Sequence, residues 1–416
     1  MMFVLHHILV CSGVELLMKI DLLKRLLLIV IICSGVESFA AGFEFKDGDR
    51  VALIGNTFTE RAQQYGYIES YVTAANPGKH VVFRNLGWSG DNVHGESRAY
   101  FGSREDGFKH LVKYMNQVKP TVIVFAYGSN AAFKGEAGMK EFVGGMERLI
   151  GEAKKTKARL VLVSPTPLEK ISAAHPDQTK HNKKVSQYTL AVQELANKHG
   201  AAFVDLFNYL QSKKGNLTYN GIHYTSKGYH AIAPIYAKQL GVKTQQWGLH
   251  LTVKGEVRSA VGTSVKQMTR QGETGLKFAL LDDRLPNVLL PNQTEVTDVR
   301  QIRVDGLPEG RYLLKIDGKE VGGGTAKDFA AGKVSFLGPE REQVEQLRKT
   351  IVEKNELFFH GYRPQNETYL RGFRKHEQGN NAVEIGQFKQ YVEAKEKLIA
   401  ELRQPKVRQY EIVSVK

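Results

Sequence analysis

Val51-Ala52-Leu53-Ile54 runs straight into Gly55-Asn56-Thr57-Phe58-Thr59-Glu60. The first four residues are apolar without polar alternation, which suits a strand buried on both faces. Gly, Asn and Thr end that run, and residues 59–75 then read as a helix. The same alternation continues along the chain. Strands are expected at 80–84, 121–126, 159–163 and 201–205, and helices at 105–118, 139–155, 180–199 and 226–240. Short apolar strands spaced by helices predict a five-stranded parallel sheet covered on both faces. Such sheets bind ligands beyond the carboxyl ends of their strands. Four polar pieces fall on that side: Gly55 to Glu60; Asn85-Leu86-Gly87-Trp88-Ser89-Gly90-Asp91-Asn92; Tyr127-Gly128-Ser129-Asn130; and Tyr219-Asn220-Gly221-Ile222-His223-Tyr224-Thr225.

On either side of this unit the composition changes. Lys19, Lys24 and Arg25 precede the apolar run 26–32, and Ser38-Phe39-Ala40 has the small-x-small pattern of a cleavage site. Residues 1–40 therefore read as a signal peptide, with Met18-Lys19 the more usual start. The expected location is exported, periplasmic or secreted, with no transmembrane segment after cleavage. Both cysteines, Cys11 and Cys33, fall in that leader, so residues 41–416 hold no disulfide and no thiol chemistry. The leader carries three basic and three acidic residues, and the remainder keeps the net charge of +15. That charge favours acidic partners. No basic helix or aromatic-basic motif points to nucleic acid, and an anionic polysaccharide or cell envelope is the acidic partner to expect. Residues 41–243 form the α/β unit. Residues 244–336 read as strands and turns, a small antiparallel insert, and 337–416 as a helical carboxy-terminal region. Inside that region, residues 356–381 crowd aromatics, amides, Arg and His without a clean period. Two readings stand for it: a loop packing its rings on the main domain, or a wall that stacks on sugars.

Acyl transfer needs a nucleophile, a base for its proton, and donors for the oxyanion. Thr57 offers a hydroxyl, His223 an imidazole, Asn220 a side chain three residues before it, Gly90 a backbone N–H, and Asn130 an amide. The blocks Gly55-Asn56-Thr57, Ser89-Gly90-Asp91, Gly128-Ser129-Asn130-Ala131 and Asn220-Gly221-Ile222-His223 resemble, in order and spacing, those of the SGNH (GDSL-type) hydrolases. The resemblance covers about residues 47–240. The wider chain resembles exported planctomycete-type proteins that carry such a domain. It implies a three-layer, flavodoxin-like α/β fold and ester hydrolysis, with Thr57 as nucleophile, His223 as base, Asn220 as its orienting group, and Gly90 and Asn130 as oxyanion donors. The expected substrate is an acylated carbohydrate or another ester, most simply an O-acetyl sugar, and no cofactor or metal is expected.

Three departures from the family pattern bear on this. Thr57 replaces serine, Asn220 replaces aspartate, and Ala131 replaces the second acidic residue of the third block. Asparagine cannot stabilise an imidazolium by charge and can favour the wrong tautomer. The alternative reading is therefore an SGNH-fold protein that binds polysaccharide without hydrolysing it. Thr57 also fits a helix cap, Ser89 and Ser129 are further hydroxyls, and Glu60, Asp91 and Asp205 are the carboxylates nearest in sequence for orienting the base. His376-Glu377 has no second histidine four residues on, so the zinc-protease helix motif is absent, as is any phosphate loop.

Overall fold

The computed structural model describes residues 43–415 apart from 214, 245, 273–274, 292, 294–299, 371 and 378–381. The leader expected at 1–40 lies outside the described residues. Strands β1 (Arg50–Gly55), β2 (Val82–Asn85), β3 (Val122–Ala126), β4 (Arg159–Val163) and β5 (Ala202–Val204) form one parallel sheet in the order β2-β1-β3-β4-β5. Leu53 is in register with Asn85 on one side and Val124 on the other. Hence Gly55, Asn85 and Ala126 end along one edge, which is where the polar pieces begin.

Helices α1 (Thr57–Tyr65), α2 (Tyr67–Ala75), α3 (Arg104–Gln117), α4 (Met139–Lys154), α5 (Thr179–His199), α6 (Leu206–Gln211) and α7 (Ser226–Gln239) cover the sheet. Ile54, Phe125, Leu162, Leu111, Leu149 and Val192 are among the side chains that meet in its core. The single helix expected over 59–75 is two helices. Gly66 breaks it with φ +68, and a Cβ there would meet Val352 at 3.0 Å. Arg348 Nη1 donates to Tyr65 O at 2.7 Å and so closes the end of α1.

After α7 the chain builds β6 (Trp247–Thr252), β7 (Val257–Val261), β8 (Thr263–Gln271), β9 (Gly275–Asp282), β10 (Arg300–Asp305), β11 (Arg311–Ile316) and β12 (Lys319–Thr325). Two sheets result, β10-β6-β7 and β12-β11-β13-β9-β8, where β13 is Arg408–Val415. Leu249, Leu251, Ile302 and Val304 from the first share a core with Phe278, Leu280, Leu314 and Ile316 from the second. The region is not wholly antiparallel, because β6 and β10 pair in parallel. Nor does the chain stay helical after 337. β13 lies between β9 and β11, with Tyr410 and Ile412 buried and the Tyr410 ring stacked on Phe278 at 5.4 Å. Its alternating pattern (Tyr410, Ile412) is a strand signature too short to stand out beside the charged helices before it.

Two long helices, α8 (Glu340–Tyr362) and α9 (Phe388–Leu402), join this β region to the main domain. Helix α8 takes in the first part of the aromatic-rich stretch, through Tyr362. Leu347, Ile351, Phe358 and Tyr362 follow helical spacing, and Phe358, Phe359 and Tyr362 pack on the sheet's core. Of the two readings for this stretch, the packing one holds for these three rings. Lys354 Nζ, 1% exposed, bonds Glu69 Oε1 at 2.7 Å and Phe83 O at 3.1 Å, and Asn355 Nδ2 bonds Glu69 Oε2 at 3.1 Å. Burial pushes the Glu69 carboxyl up and the Lys354 ammonium down. Each charge is thus held in the interior by the other, and losing one leaves its partner uncompensated. Lys354→Ala should destabilise the fold by about 3–5 kcal/mol, and Glu69→Gln with Lys354→Met should recover most of that loss. Urea denaturation checks this, and an unshifted midpoint for Lys354→Ala would contradict it.

Candidate active site

The edge where β1 ends is closed tightly by α1. A Cβ on Gly55 would meet Thr59 Oγ1 at 2.3 Å and Ala126 O at 2.6 Å, so only glycine fits the turn. Asn56, not Thr57, caps the helix: its Oδ1 accepts from Phe58 N at 3.2 Å. That frees the Thr57 hydroxyl, at the first helical position, from capping. Its Oγ1 instead accepts from Gly90 N at 3.0 Å.

The loop after β2 is wrapped on the first turns of α1. Asn85 Nδ2 donates to Thr59 O at 2.7 Å and Trp88 N to Gly55 O at 3.0 Å. A Cβ on Gly87 would meet Glu60 N at 2.3 Å. Gly90 then takes φ +75, a left-handed conformation that suits glycine. Asp91, fully buried, anchors the turn: its Oδ2 accepts from Arg98 Nε at 2.7 Å and from the Tyr127 hydroxyl at 3.0 Å. Asn130, after β3, donates from Nδ2 to Asp91 O at 3.2 Å. Thr57, Gly90 and Asn130 are therefore brought together. Gly128 has φ +121 and serves the backbone turn before Asn130.

His223 sits on a separate loop that leans on the same helix. Phe58 meets Tyr224 edge-on at 5.7 Å, Tyr229 Oη donates to Phe58 O at 2.7 Å, and Arg61 Nη1 donates to Tyr219 Oη at 2.8 Å. The Tyr219 ring stacks on His223 at 5.5 Å. Among the described residues no hydrogen bond joins Thr57 Oγ1 to His223. Catalytic hydrogen bonds often tighten only when substrate is bound.

Asn220 does orient His223, by the opposite end of its amide from a carboxylate's. Its Oδ1 is occupied by Ile222 N at 3.2 Å and His223 N at 2.9 Å. That leaves Nδ2, a donor, against His223 Nδ1 at 3.0 Å. A neutral imidazole accepting at Nδ1 carries its proton on Nε2. In this state Nε2 is a donor, and a general base acting through Nε2 needs the other tautomer.

None of the three carboxylates nearest in sequence reaches His223. Asp91 is committed to Arg98 and Tyr127, and Glu60 to Ser89 and Arg363. Asp205 caps α6 through Asn208 N at 3.0 Å. The carboxylate that matters to this loop is Glu169, which the sequence reading missed. It accepts from Leu217 N at 2.9 Å and from Thr218 N at 2.7 Å, while Glu169 N donates to Gly221 O at 2.8 Å. Its position just beyond the fourth strand is the one signal that pointed to it. Of the other hydroxyls, Ser89 Oγ donates to Glu60 at 3.0 Å and Ser129 Oγ accepts from Thr166 N at 3.3 Å.

Burial first, and the positive Arg61 second, hold the His223 imidazole below its ordinary 6.5. The neutral ring therefore persists to lower pH than in a free histidine, and protonation comes only as pH falls through that lowered value. An NMR titration of the His223 ring should show a midpoint below 6.5, moved upward in Arg61→Gln. A wild-type midpoint above 6.5 would contradict the geometry.

Residues 38–231 match the GDSL-like Lipase/Acylhydrolase family. No curated protein matches the chain. Among solved structures, a gut microbial diltiazem-metabolizing enzyme is 17% identical, with a TM-score of 0.69 over 90% of this chain and 99% of that one. It shares the fold of both the α/β domain and the region after it. An α/β hydrolase enzyme from the metagenome of Lake Arreo, Spain, is 18% identical over 49% of this chain and 100% of its own, with a TM-score of 0.39. An acetylxylan esterase from Geobacillus stearothermophilus is 18% identical over 48% and 96%, with a TM-score of 0.38. The α/β domain, over residues 38–231, is therefore a GDSL-like lipase/acylhydrolase domain of the SGNH type, a domain of ester-bond hydrolases.

Proposed function

We propose that this protein is an exported esterase that removes O-acyl groups, most simply acetyl, from a carbohydrate. The carrying observation is the contact of the Thr57 hydroxyl with Gly90 N at 3.0 Å, beside Asn130 Nδ2. A nucleophile and two oxyanion donors share one strand-end edge there. In the reaction His223 first takes the tautomer with its proton on Nδ1, and Thr57 Oγ1 then attacks the acyl carbon as its hydroxyl proton passes to the freed Nε2. The oxyanion takes the N–H groups of Gly90 and Asn130 from the partners they hold at rest. His223 then gives that proton to the sugar oxygen as the bond between it and the acyl carbon breaks, and water, losing a proton to His223 in turn, releases the acyl group from Thr57 as the free acid.

Room for a small acyl group lies beside Asn130, in a hollow of about 80 Å³ bordered by Asn56, Val93, Ala131 and Phe142 and, farther out, by His94, Lys134 and Glu141. One water needs roughly 10–15 Å³ of such space, so a two-carbon acyl group fits. The carbohydrate preference is supported by Phe101 and Phe373, 80% and 71% exposed and edge-on at 5.8 Å. Two exposed rings at a corner suit a sugar face, and the charge of +15 suits an anionic polymer. A second reading, binding without hydrolysis, is favoured by the Asn220 amide that keeps the His223 proton on Nε2.

Activity on 4-nitrophenyl acetate separates the two. Thr57→Ala and His223→Ala should abolish turnover, and Thr57→Ser should retain or raise it. Asn220→Asp restores a carboxylate acceptor for Nδ1–H and should raise kcat, up to the roughly 10⁴ that separates Asp from Asn in a serine protease. A wild type with no turnover and no gain in Asn220→Asp, but with affinity for an O-acetylated polysaccharide, would establish the binding reading instead.

A further inference from the structure

We infer that the carboxyl end of α8 belongs to the oxyanion apparatus. Arg363, acting through Glu60 and Ser89, is a positioning residue for the Gly90 N–H. The inference rests on the esterase reading for its catalytic consequence, but its structural half stands without it.

Four consecutive residues of the loop after β2 are held in turn. Gly87 O accepts from the Tyr362 hydroxyl at 3.2 Å. The Trp88 ring, 4% exposed, lies under the Arg363 guanidinium at 3.8 Å. Ser89 N and Oγ donate to the two oxygens of Glu60 at 2.5 and 3.0 Å. Gly90 is next, with its N–H on Thr57. The Glu60 oxygen that takes Ser89 N also takes Arg363 Nη1 at 2.7 Å, with the two side chains 14% and 28% exposed. Arg363 thus fixes the rotamer of Glu60 and covers Trp88 in one stroke. Its planar fork suits both tasks, which a lysine cannot do together. Helix α8 is itself immobilised by the buried Lys354–Glu69 pair, so the clamp is rigid at both ends.

Without Arg363 the Glu60 carboxylate is drawn toward water, Ser89 loses its acceptor geometry, and the glycine beyond it is free to turn. An oxyanion donor displaced by about 1 Å costs roughly 10²-fold, and losing one outright costs roughly 10²–10³. The loss falls on kcat, because the donor acts on charge that develops in the transition state.

The test uses the full chain with Arg363→Gln, Arg363→Lys, Glu60→Gln and the double Glu60→Gln/Arg363→Gln. Two readouts are taken: kcat and KM on 4-nitrophenyl acetate, and hydrogen exchange of the Gly90 amide in ¹⁵N-glycine-labelled protein, with Gly55 as reference. Arg363→Gln should lower kcat by at least about tenfold with KM within about twofold, and speed Gly90 exchange while Gly55 is unchanged. Arg363→Lys should recover part of both. The double variant should be no worse than the poorer single, since the two residues act as one unit. Wild-type kcat with wild-type Gly90 exchange in Arg363→Gln would overturn the inference, as would strictly additive losses. Absence of any Thr57-dependent hydrolysis in the wild type would sink the esterase reading, and Gly90 exchange would still decide whether Arg363 holds the loop.

Discussion

The ion pair between Asp91 and Arg98 sits at 0% and 1% exposure, and the geometry of the site depends on it. A charge pair this deep is weak evidence of stability, because desolvation offsets much of the attraction. Its effect is positional. Arg98 also donates from Nη2 to Leu86 O at 2.9 Å, so one guanidinium ties the start of the loop to its far side. Asp91 in turn takes the Tyr127 hydroxyl from the end of β3, and offers its backbone carbonyl to Asn130. The segments that follow β2 and β3, the strands on either side of β1, are thereby cross-linked through a single residue. Gly90, between the pair and the Glu60 contacts, inherits its place from both.

The base side of the site is assembled by different means. The His223 loop is shaped by Glu169 and by its own asparagine turn, and rests on α1 through aromatic contacts. Two independently supported halves thus meet on one helix. That division explains why Asn220 alters the proton on His223 without touching the oxyanion donors, and why each half has its own carboxylate, Glu60 for one and Glu169 for the other.

Much of the sheet was legible in the sequence because its strands are apolar runs and its helices are long. The four polar blocks were legible because three directly follow strand ends and the fourth directly precedes a helix. What was not legible has a physical cause in each case. Gly66 divides a helix because Arg348 and Val352, nearly three hundred residues on, approach it too closely for a side chain. The role of Asn220 turned on which end of its amide the backbone claimed, and sequence says nothing of that. Strands β7 and β8 alternate poorly since much of their surface faces solvent. Arg363 looked like one basic residue among many in a crowded stretch, and its stacking on Trp88 and its bond to Glu60 separate it from the rest.

Strand β13 carries a consequence for how the protein is made. It fills the middle of its sheet, between β9 and β11. All five strands of the parallel sheet precede residues 408–415 by about two hundred residues, and in a chain that emerges amino-terminal first that domain can fold before they arrive. Until then β9 and β11 each present an open inner edge, the kind of template that recruits stray strands. The second region is thus completed last and by a pairing of long sequence separation, which is slow to form. During that interval the nascent chain holds a finished domain beside a half-built one, and its exposure to mispairing is set by the time β13 takes to arrive.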